Sequence, residues 1–160
     1  LHSSPPRRSS DLKAGGSGYM FRTATVQDFS AVTGACLLVK TSVWDEVKGL
    51  DEAFAVAFND VDFCLRVRDA GYRIAWTPYA ELIHYESKSR GGDEKDPVKA
   101  ARFAAEQQRL YTIHGKENIL DDPYYNPNLT RDREDFSESD DLRRLKEGRV
   151  TVRFRGGTLQ

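Results

Sequence analysis

Apolar residues change their spacing along the chain, and the spacings predict strands that alternate with helices. The mostly apolar run at 31–40, AVTGACLLVK, predicts a buried strand. Two shorter strands are predicted at 72–78, where Pro78 ends an alternating pattern, and at 81–86, ELIHYE. Alternating strands and helices are typical of the α/β class, so we expect a mixed sheet flanked by helices.

Three helices are predicted from their start and stop signals. The first is short and ends at Gly49. The clearest one spans 59–71, with Asn59 as its N-cap, acidic residues in its first turn and basic residues near its end. Its apolar spacing predicts a buried stripe of Val61, Cys64, Leu65 and Val67. A long helix is predicted from Pro97 to about Ile113.

The two ends of the chain differ in composition from its middle. Residues 1–25 begin with a stretch rich in serine, proline, glycine and arginine, so we expect them to be disordered or artefactual. Residues 131–160 are mostly charged and are expected to form a flexible tail. A single domain is therefore predicted at 26–130, in keeping with roughly 100–200 residues per domain.

Charge and cysteine content exclude several classes of partner. With 24 Lys and Arg against 25 Asp and Glu, the formal net charge is −1, which gives no overall attraction to nucleic acid or to an anionic membrane. No apolar run approaches the ~18 residues of a membrane span. Cys36 and Cys64 lie in apolar segments without metal-ligand spacing, which indicates a reducing compartment. We therefore expect a cytoplasmic location, either free or at the inner face of the cell membrane.

Two features offer candidate chemistry, and each has a structural alternative. The string NDVD at 59–62 supplies carboxylates of the kind that act as general bases, but the same residues make an ordinary helix start. His84 lies near the end of the predicted strand at 81–86, where an isolated histidine is usually a packing or surface residue. The residues alone leave both alternatives open.

The order and spacing of three segments resemble the C-terminal half of a family 2 glycosyltransferase, an inverting enzyme of the GT-A fold. The segments are TGACLLVKTSVWDEVKGLDEAF, FNDVDFCLRVRDAGYRIAWTPYAELIHYESKSRG and DDPYYNPNLT, and the resemblance covers about residues 29–136. It implies a partial nucleotide-diphospho-sugar transferase fold. The N-terminal, nucleotide-binding half, with its Asp-x-Asp metal motif, is expected to be missing.

The resemblance assigns catalytic roles within the NDVD string. Asp60 falls on the acid that takes the proton from the acceptor hydroxyl, and Asn59 stands where the family usually has another acid. Asp62 is expected to orient the site or to cap the helix. Asp60 and Asp62 also fit an Asp-x-Asp string, but a donor-metal motif should follow a strand near the start of the domain, whereas this string opens a helix.

The resemblance also implies substrate and metal ligands. The substrate-binding candidates are Thr33, Gly34, Ala35, Asn59, Ser89 and Arg90. The first three would let a sugar ring approach the backbone, although close packing of a helix explains small residues equally well. Arg90 lies on a loop that would close over a diphosphate or be an ordinary solvated loop. His84 falls on the family's histidine ligand for Mn²⁺ or Mg²⁺, whose other ligands would lie in the missing half.

The predicted function follows from this resemblance. The parent enzyme would transfer a sugar, with inversion, from a nucleotide-diphosphate sugar to a saccharide or lipid-linked saccharide acceptor. The product would be a cell-surface polysaccharide, and the chain alone would be inactive. The alternative is a non-catalytic module of the same ancestry that binds saccharide or a partner protein.

Overall fold

A computed structural model of the chain describes residues 19–21, 24–81, 96–126, 128–130 and 136–137. Within these ranges it contains four helices, a two-stranded sheet and two 3₁₀ turns. The helices are α1 Thr41–Glu46, α2 Asn59–Asp69, α3 Pro97–His114 and α4 Lys116–Leu120. The strands are β1 Gln27–Asp28 and β2 Ala75–Trp76, and the 3₁₀ turns are Tyr19–Phe21 and Gly34–Cys36. Among the described residues, no helix is both long and apolar enough to cross a membrane.

The chain divides into two compact units at Asn126. All of the elements above belong to the unit that ends at Tyr125. In the other unit, the described residues include a backbone hydrogen bond from Thr130 N to Ser137 O of 2.8 Å. The candidate site lies in the unit that ends at Tyr125.

The two strands pair in an antiparallel register, with Gln27 opposite Trp76 and Asp28 opposite Ala75. One further bond, from Phe29 N to Ile74 O at 3.0 Å, continues the ladder past β1. The prediction of a combined helix and strand structure is confirmed. The sheet among the described residues is antiparallel rather than mixed, and the strand predicted at 72–78 is reduced to the two residues of β2.

The predicted strand at 31–40 is wrong. Thr33 adopts an extended backbone, and its side-chain oxygen accepts a hydrogen bond from Ala35 N at 3.3 Å, which starts the 3₁₀ turn. This local bond offers the backbone an alternative to a sheet ladder. Leu37 is extended again, and Leu38 is 98% exposed, so the apolar run is split between a turn and a surface segment. Of the strand predicted at 81–86, all residues but the first lie outside the described ranges.

Helix α2 is confirmed, with its predicted stripe fully buried: Val61, Cys64, Leu65 and Val67. Its cap differs from the prediction, because Phe58 is the N-cap and Asn59 is the first helical residue. Phe58 has a φ of 63°, a left-handed conformation that is strained for a bulky residue. Burial holds it there, since Phe58 is 2% exposed and its ring centroid lies 4.9 Å from that of Phe103 in α3.

Helix α1 ends at Glu46, before the predicted stop at Gly49, and Lys48 is the first residue after it with a positive φ, of 62°. Gly49 follows in the same turn, and its N–H donates a 2.9 Å bond to Trp44 O. It has a φ of +63°, and a Cβ at this position would lie 2.8 Å from the Trp44 ring. The glycine is therefore required both by its backbone conformation and by the indole that lies behind it. The same indole packs on Phe63 of α2, with ring centroids 5.2 Å apart, so the end of α1 is fixed to α2.

Helix α3 begins at Pro97, as predicted, and the Asp96 side chain accepts a hydrogen bond from Val98 N at 2.9 Å. It buries Leu110 and also Glu106, whose Oε2 accepts a 2.6 Å bond from the Ala57 backbone N–H. Among the described residues of this unit, fourteen buried ones form the core. They are Phe29, Ala31, Val32, Val43, Phe54, Phe58, Val61, Phe63, Cys64, Leu65, Val67, Ile74, Leu110 and Ile119.

Candidate active site

The structure brings two of the sequence-predicted stretches together, although they are separated by 26 residues. The backbone N–H of Gly34 donates a 3.0 Å hydrogen bond to Oδ2 of Asp60. A Cβ placed on Gly34 would lie 3.4 Å from Asp60 Cβ, so the turn and the start of α2 are in van der Waals contact. The Gly34–Cys36 turn therefore lies directly over the Asp60 side chain.

The Asp60 carboxylate is held in a defined orientation. Its Oδ1 accepts a 2.9 Å bond from Val61 N, while Oδ2 takes the Gly34 bond. The side chain of Asn59 bonds to the backbone N–H of Asp60 at 2.8 Å. Asp60 is only 8% exposed, whereas Gly34 and Ala35 are exposed. The carboxylate thus lies just beneath a surface turn made of small residues.

Thr33 and Ala35 stabilise this turn through a hydrogen bond to each other. Thr33 is half-buried and acts as the cap of the turn through its bond from Ala35 N. The substrate-binding role predicted for residues 33–35 stays a prediction. Gly34 lies against the start of α2 and is also exposed. Its position is compatible both with close packing of a helix and with approach of a sugar ring.

Asp62 lies in a different environment from Asp60. It is 1% exposed, and both of its oxygens have side-chain partners. Oδ1 lies 2.8 Å from His114 Nε2, and Oδ2 lies 2.9 Å from Arg66 Nε and 2.7 Å from Arg66 Nη2. We call Asp62, Arg66 and His114 the Asp62 network. It connects α2 to the last residue of α3.

Arg66 extends the Asp62 network to the end of α1. Its Nη2 donates a 2.7 Å bond to Gly49 O, and its Nη1 donates a further bond to Val47 O. These carbonyls follow the last turn of α1, where backbone acceptors have no partner within the helix. One guanidinium therefore satisfies the end of one helix and pairs with a buried carboxylate of another.

The electrostatics of the Asp62 network favour an ionised carboxylate. Burial by itself would raise the pKa of Asp62, but the hydrogen bonds from His114 and Arg66 outweigh burial and hold that pKa below its usual value. An ionised Asp62 accepts only, so His114 Nε2 carries the hydrogen of the bond between them. Asp62 is consequently fully engaged as a structural anion.

The buried cysteine behind the site is unreactive. Burial raises the pKa of the Cys64 thiol to about 11, and its Sγ lies 3.8 Å from the Val32 carbonyl oxygen. Cys36, by contrast, lies on the exposed 3₁₀ turn. Both are free thiols.

Within the described ranges, no three His, Cys, Asp or Glu side chains come together in a way that would hold a metal ion. The Asp60 oxygens accept backbone N–H groups, and the Asp62 oxygens are paired with cationic or imidazole nitrogen. The described residues alone therefore do not fit a metal centre. The predicted ligand His84 and the loop residues Ser89 and Arg90 lie outside the described residues.

Sequence reasoning missed two members of the Asp62 network. Arg66 stands four residues after Asp62, a spacing that places both on one face of a helix, so an ion pair was readable from the sequence. His114 is 52 residues away from Asp62. No local pattern marks it as a partner, because the contact depends on how α3 packs against α2.

Comparison with known proteins places the chain among similar bacterial proteins. It is 49% identical over 120 residues to "Uncharacterized protein y4gI" of Sinorhizobium fredii, over 74% of this chain and 13% of that protein. It is 33% identical over 108 residues to the O-antigen biosynthesis protein RfbC of Myxococcus xanthus, over 68% of this chain and 8% of that protein. No model of a protein family and no solved structure matches the chain.

A third similarity involves a protein that is named as an enzyme. The chain is 35% identical over 80 residues to the N-acetylglucosaminyl-diphospho-decaprenol L-rhamnosyltransferase of Mycobacterium tuberculosis, over 50% of this chain and 24% of that enzyme. The chain is thus partly similar to a rhamnosyltransferase and to an O-antigen biosynthesis protein, and it spans between 8% and 24% of the length of the three relatives.

The matched stretches include the helix that carries Asp60. A match over 68% of 160 residues leaves 32%, or about 51 residues, outside it, so it takes in α2 at 59–69 wherever it begins. The longer match to the Sinorhizobium fredii protein does so as well. The similarity to these proteins therefore includes the helix that carries Asp60.

Proposed function

We propose that the chain is the acceptor-side part of an inverting glycosyltransferase of the GT-A fold, and that Asp60 is its general base. The full-length enzyme transfers a sugar from a nucleotide-diphosphate donor to a saccharide or lipid-linked saccharide acceptor. The pathway served is cell-surface polysaccharide synthesis. Partial similarity to a rhamnosyltransferase and to an O-antigen biosynthesis protein supports the reaction class.

The observation that carries the proposal is the pairing of Asp60 with the Gly34 turn. A general base must hold one oxygen at a fixed place within hydrogen-bond reach of the hydroxyl that it deprotonates. The bonds from Gly34 N and Val61 N fix the Asp60 carboxylate, and the turn that lies against it is made of small, exposed residues. A sugar hydroxyl that approaches Gly34 and Ala35 comes close to this carboxylate.

The chemistry assigned to Asp60 is acceptance of one proton. As the acceptor oxygen attacks the anomeric carbon, its hydrogen passes to the carboxylate, and the bond from the anomeric carbon to the departing diphosphate breaks with inversion. Such proton transfer contributes typically ~10²–10⁴-fold to a rate. Asp62 takes no part in this transfer, because it is only 1% exposed and its carboxylate is paired with the cationic Arg66 and with His114.

The donor and the metal belong to the same proposal but depend on residues outside the described ranges. Each relative is at least four times as long as the stretch that it shares with this chain, which supports placing the donor site and the other metal ligands in further residues of the full-length protein. Mn²⁺ or Mg²⁺ is the proposed metal, and His84 is the ligand that this chain would contribute. The proposed location is cytoplasmic, at or near the inner face of the membrane.

The test is a transfer assay with the full-length enzyme and a panel of nucleotide-diphosphate sugars. The proposal expects transfer of one sugar to a saccharide or lipid-linked saccharide, with the anomeric configuration inverted in the product. Retention of configuration would refute the inverting mechanism. Saccharide binding without transfer from any donor would establish the alternative, a binding module of the same ancestry.

A further inference from the structure

The turn that carries Asp60 is attached to α3 at both of its ends. At its start, Phe58 is buried and packs on Phe103, with ring centroids 4.9 Å apart. At its end, the Asp62 carboxylate meets His114 at 2.8 Å. The backbone bond from Asp62 N to Phe58 O, 2.8 Å long, closes the turn between these two points.

A first helical turn does not usually have such support. The first N–H groups of a helix lack partners within it, and helix ends fray. Here Phe58 has a left-handed backbone, so the entry into α2 is strained as well. Asp60 lies inside this turn, and its bond to Gly34 depends on where the turn lies. The two attachments to α3 therefore hold the turn from outside, in addition to the bonds within it.

We propose, on the basis of the function assigned to Asp60, that His114 and Arg66 are positioning residues. They act through Asp62 to hold the Asp60 carboxylate against the Gly34 amide. Arg66 fixes Asp62 to the end of α1 through Gly49 O, and His114 fixes it to the end of α3. Neither residue forms a hydrogen bond with the Asp60 carboxylate, and both bond to Asp62, so both act through Asp62.

The experiment uses the whole chain and reads the Gly34 amide proton by NMR. The variant Asp60→Ala removes the acceptor and defines the amide position without the bond. His114→Leu removes the donor to Asp62, and we expect it to move the Gly34 amide by most of that displacement. His114→Gln carries an N–H at the matching place along the side chain, so we expect the amide to stay near its wild-type position.

Arg109→Gln is the matched control on the same helix. Arg109 pairs with Asp51 at 3.0 Å on the surface, so the variant breaks an α3 ion pair outside the Asp62 network. We expect the Gly34 amide to be unmoved. Displacement of the amide by Arg109→Gln as large as that by His114→Leu would overturn the proposal, since the effect would then come from general loosening of α3.

A folding defect does not leave the proposal undecided. If His114→Leu fails to give a cooperative melt, His114→Asn replaces it, because its shorter amide cannot reach Asp62. The proposal is overturned if the donor-less variant leaves the Gly34 amide at its wild-type position, since His114 would then act on stability alone. In the full-length enzyme, His114→Leu should lower kcat more than it changes KM, and His114→Gln should restore kcat.

The amide signal requires no turnover, so its failure is distinct from failure of the proposed function. Normal transfer by Asp60→Asn in the full-length enzyme would refute the role of Asp60 as the base, whatever the amide shows. An unmoved amide in His114→Leu, together with loss of transfer in Asp60→Asn, would refute the positioning role alone.

Discussion

Replacing Arg66 with methionine tests how strongly the Asp62 network stabilises the fold. The change keeps much of the aliphatic stem and removes the guanidinium, so Asp62 keeps only His114 and the carbonyls of Val47 and Gly49 lose a donor. Breaking a buried ion pair by removing one partner costs about 3–5 kcal/mol. The Arg66 side chain is 25% exposed and that of Asp62 only 1%, so we take the lower end, about 3 kcal/mol.

The expected loss is large enough for thermal and urea unfolding followed by circular dichroism. A change of about 1 kcal/mol moves Tm by roughly 2–4 °C in a chain of this size, so Arg66→Met should lower Tm by about 6–12 °C. The matched control is Arg73→Met. Arg73 grips both oxygens of Asp28 at 2.9 and 3.1 Å, but its side chain is 68% exposed.

Exposed ion pairs contribute about 0–1 kcal/mol, so the control should lower Tm by a few degrees at most. The two variants remove the same atoms from two arginine–carboxylate pairs that differ mainly in burial and in helix-end contacts. Equal losses in Arg66→Met and Arg73→Met would refute the reasoning, because burial of Asp62 would then add nothing.

Three further predictions concern the backbone, acid stability and thiol reactivity. Gly49→Ala should lower the free energy of unfolding by more than the ~1–2 kcal/mol of a left-handed backbone, because the added Cβ would also contact the Trp44 indole. Gly71→Ala should lower it only by that backbone cost, since no atom lies within 4 Å of its added Cβ. Urea unfolding of the two variants measures the difference. The pKa of Asp62 is lower in the folded protein than its ordinary value of 3.8, so ionised Asp62 stabilises the fold fully above pH 3.8. This stabilisation is lost as the pH falls through the folded-state pKa. Asp62→Asn should therefore make the free energy of unfolding depend less on pH in the acid range. A thiol reagent at about pH 8 should label Cys36 in the native protein and should reach Cys64 only after unfolding.

The parts of the fold that depend on local spacing could be predicted from the sequence. The buried stripe of α2 follows from apolar residues at helical intervals, and the turn after α1 follows in part from glycine's tolerance of positive φ at Gly49, although the helix itself ends at Glu46. The start of α3 was predictable because Asp96 caps the helix and Pro97 is its first residue. In each of these cases the deciding interaction lies within a few residues along the chain.

Other parts depend on contacts between distant segments or on competition among local bonds. The apolar run at 31–40 was expected to be a strand, but the side chain of Thr33 bonds to the chain two residues on and starts a turn. The left-handed Phe58 has no sequence signal, because its conformation is held by the aromatic ring of a helix 45 residues away. The contact of His114 with Asp62 could not be predicted either, because it joins residues of two helices that are 52 residues apart in sequence.

The candidate site shows the same division. The string at 59–62 drew attention to Asp60 and Asp62 together, and only the packing separates them. Asp60 lies beneath the turn at Gly34, whereas Asp62 is buried between Arg66 and His114. Two carboxylates that are two residues apart in sequence therefore lie in different surroundings.

The central claim is that Asp60 accepts the proton of the acceptor hydroxyl, and the most direct measurement compares two isosteric variants of the full-length enzyme. Asp60→Asn keeps the shape of the side chain but cannot accept the proton. Initial rates of sugar transfer should fall by at least ~10²-fold, while donor binding, measured by calorimetry, changes little. Near-normal transfer by Asp60→Asn, together with an inactive but folded Asp62→Asn, would contradict the account and move the role of base to Asp62.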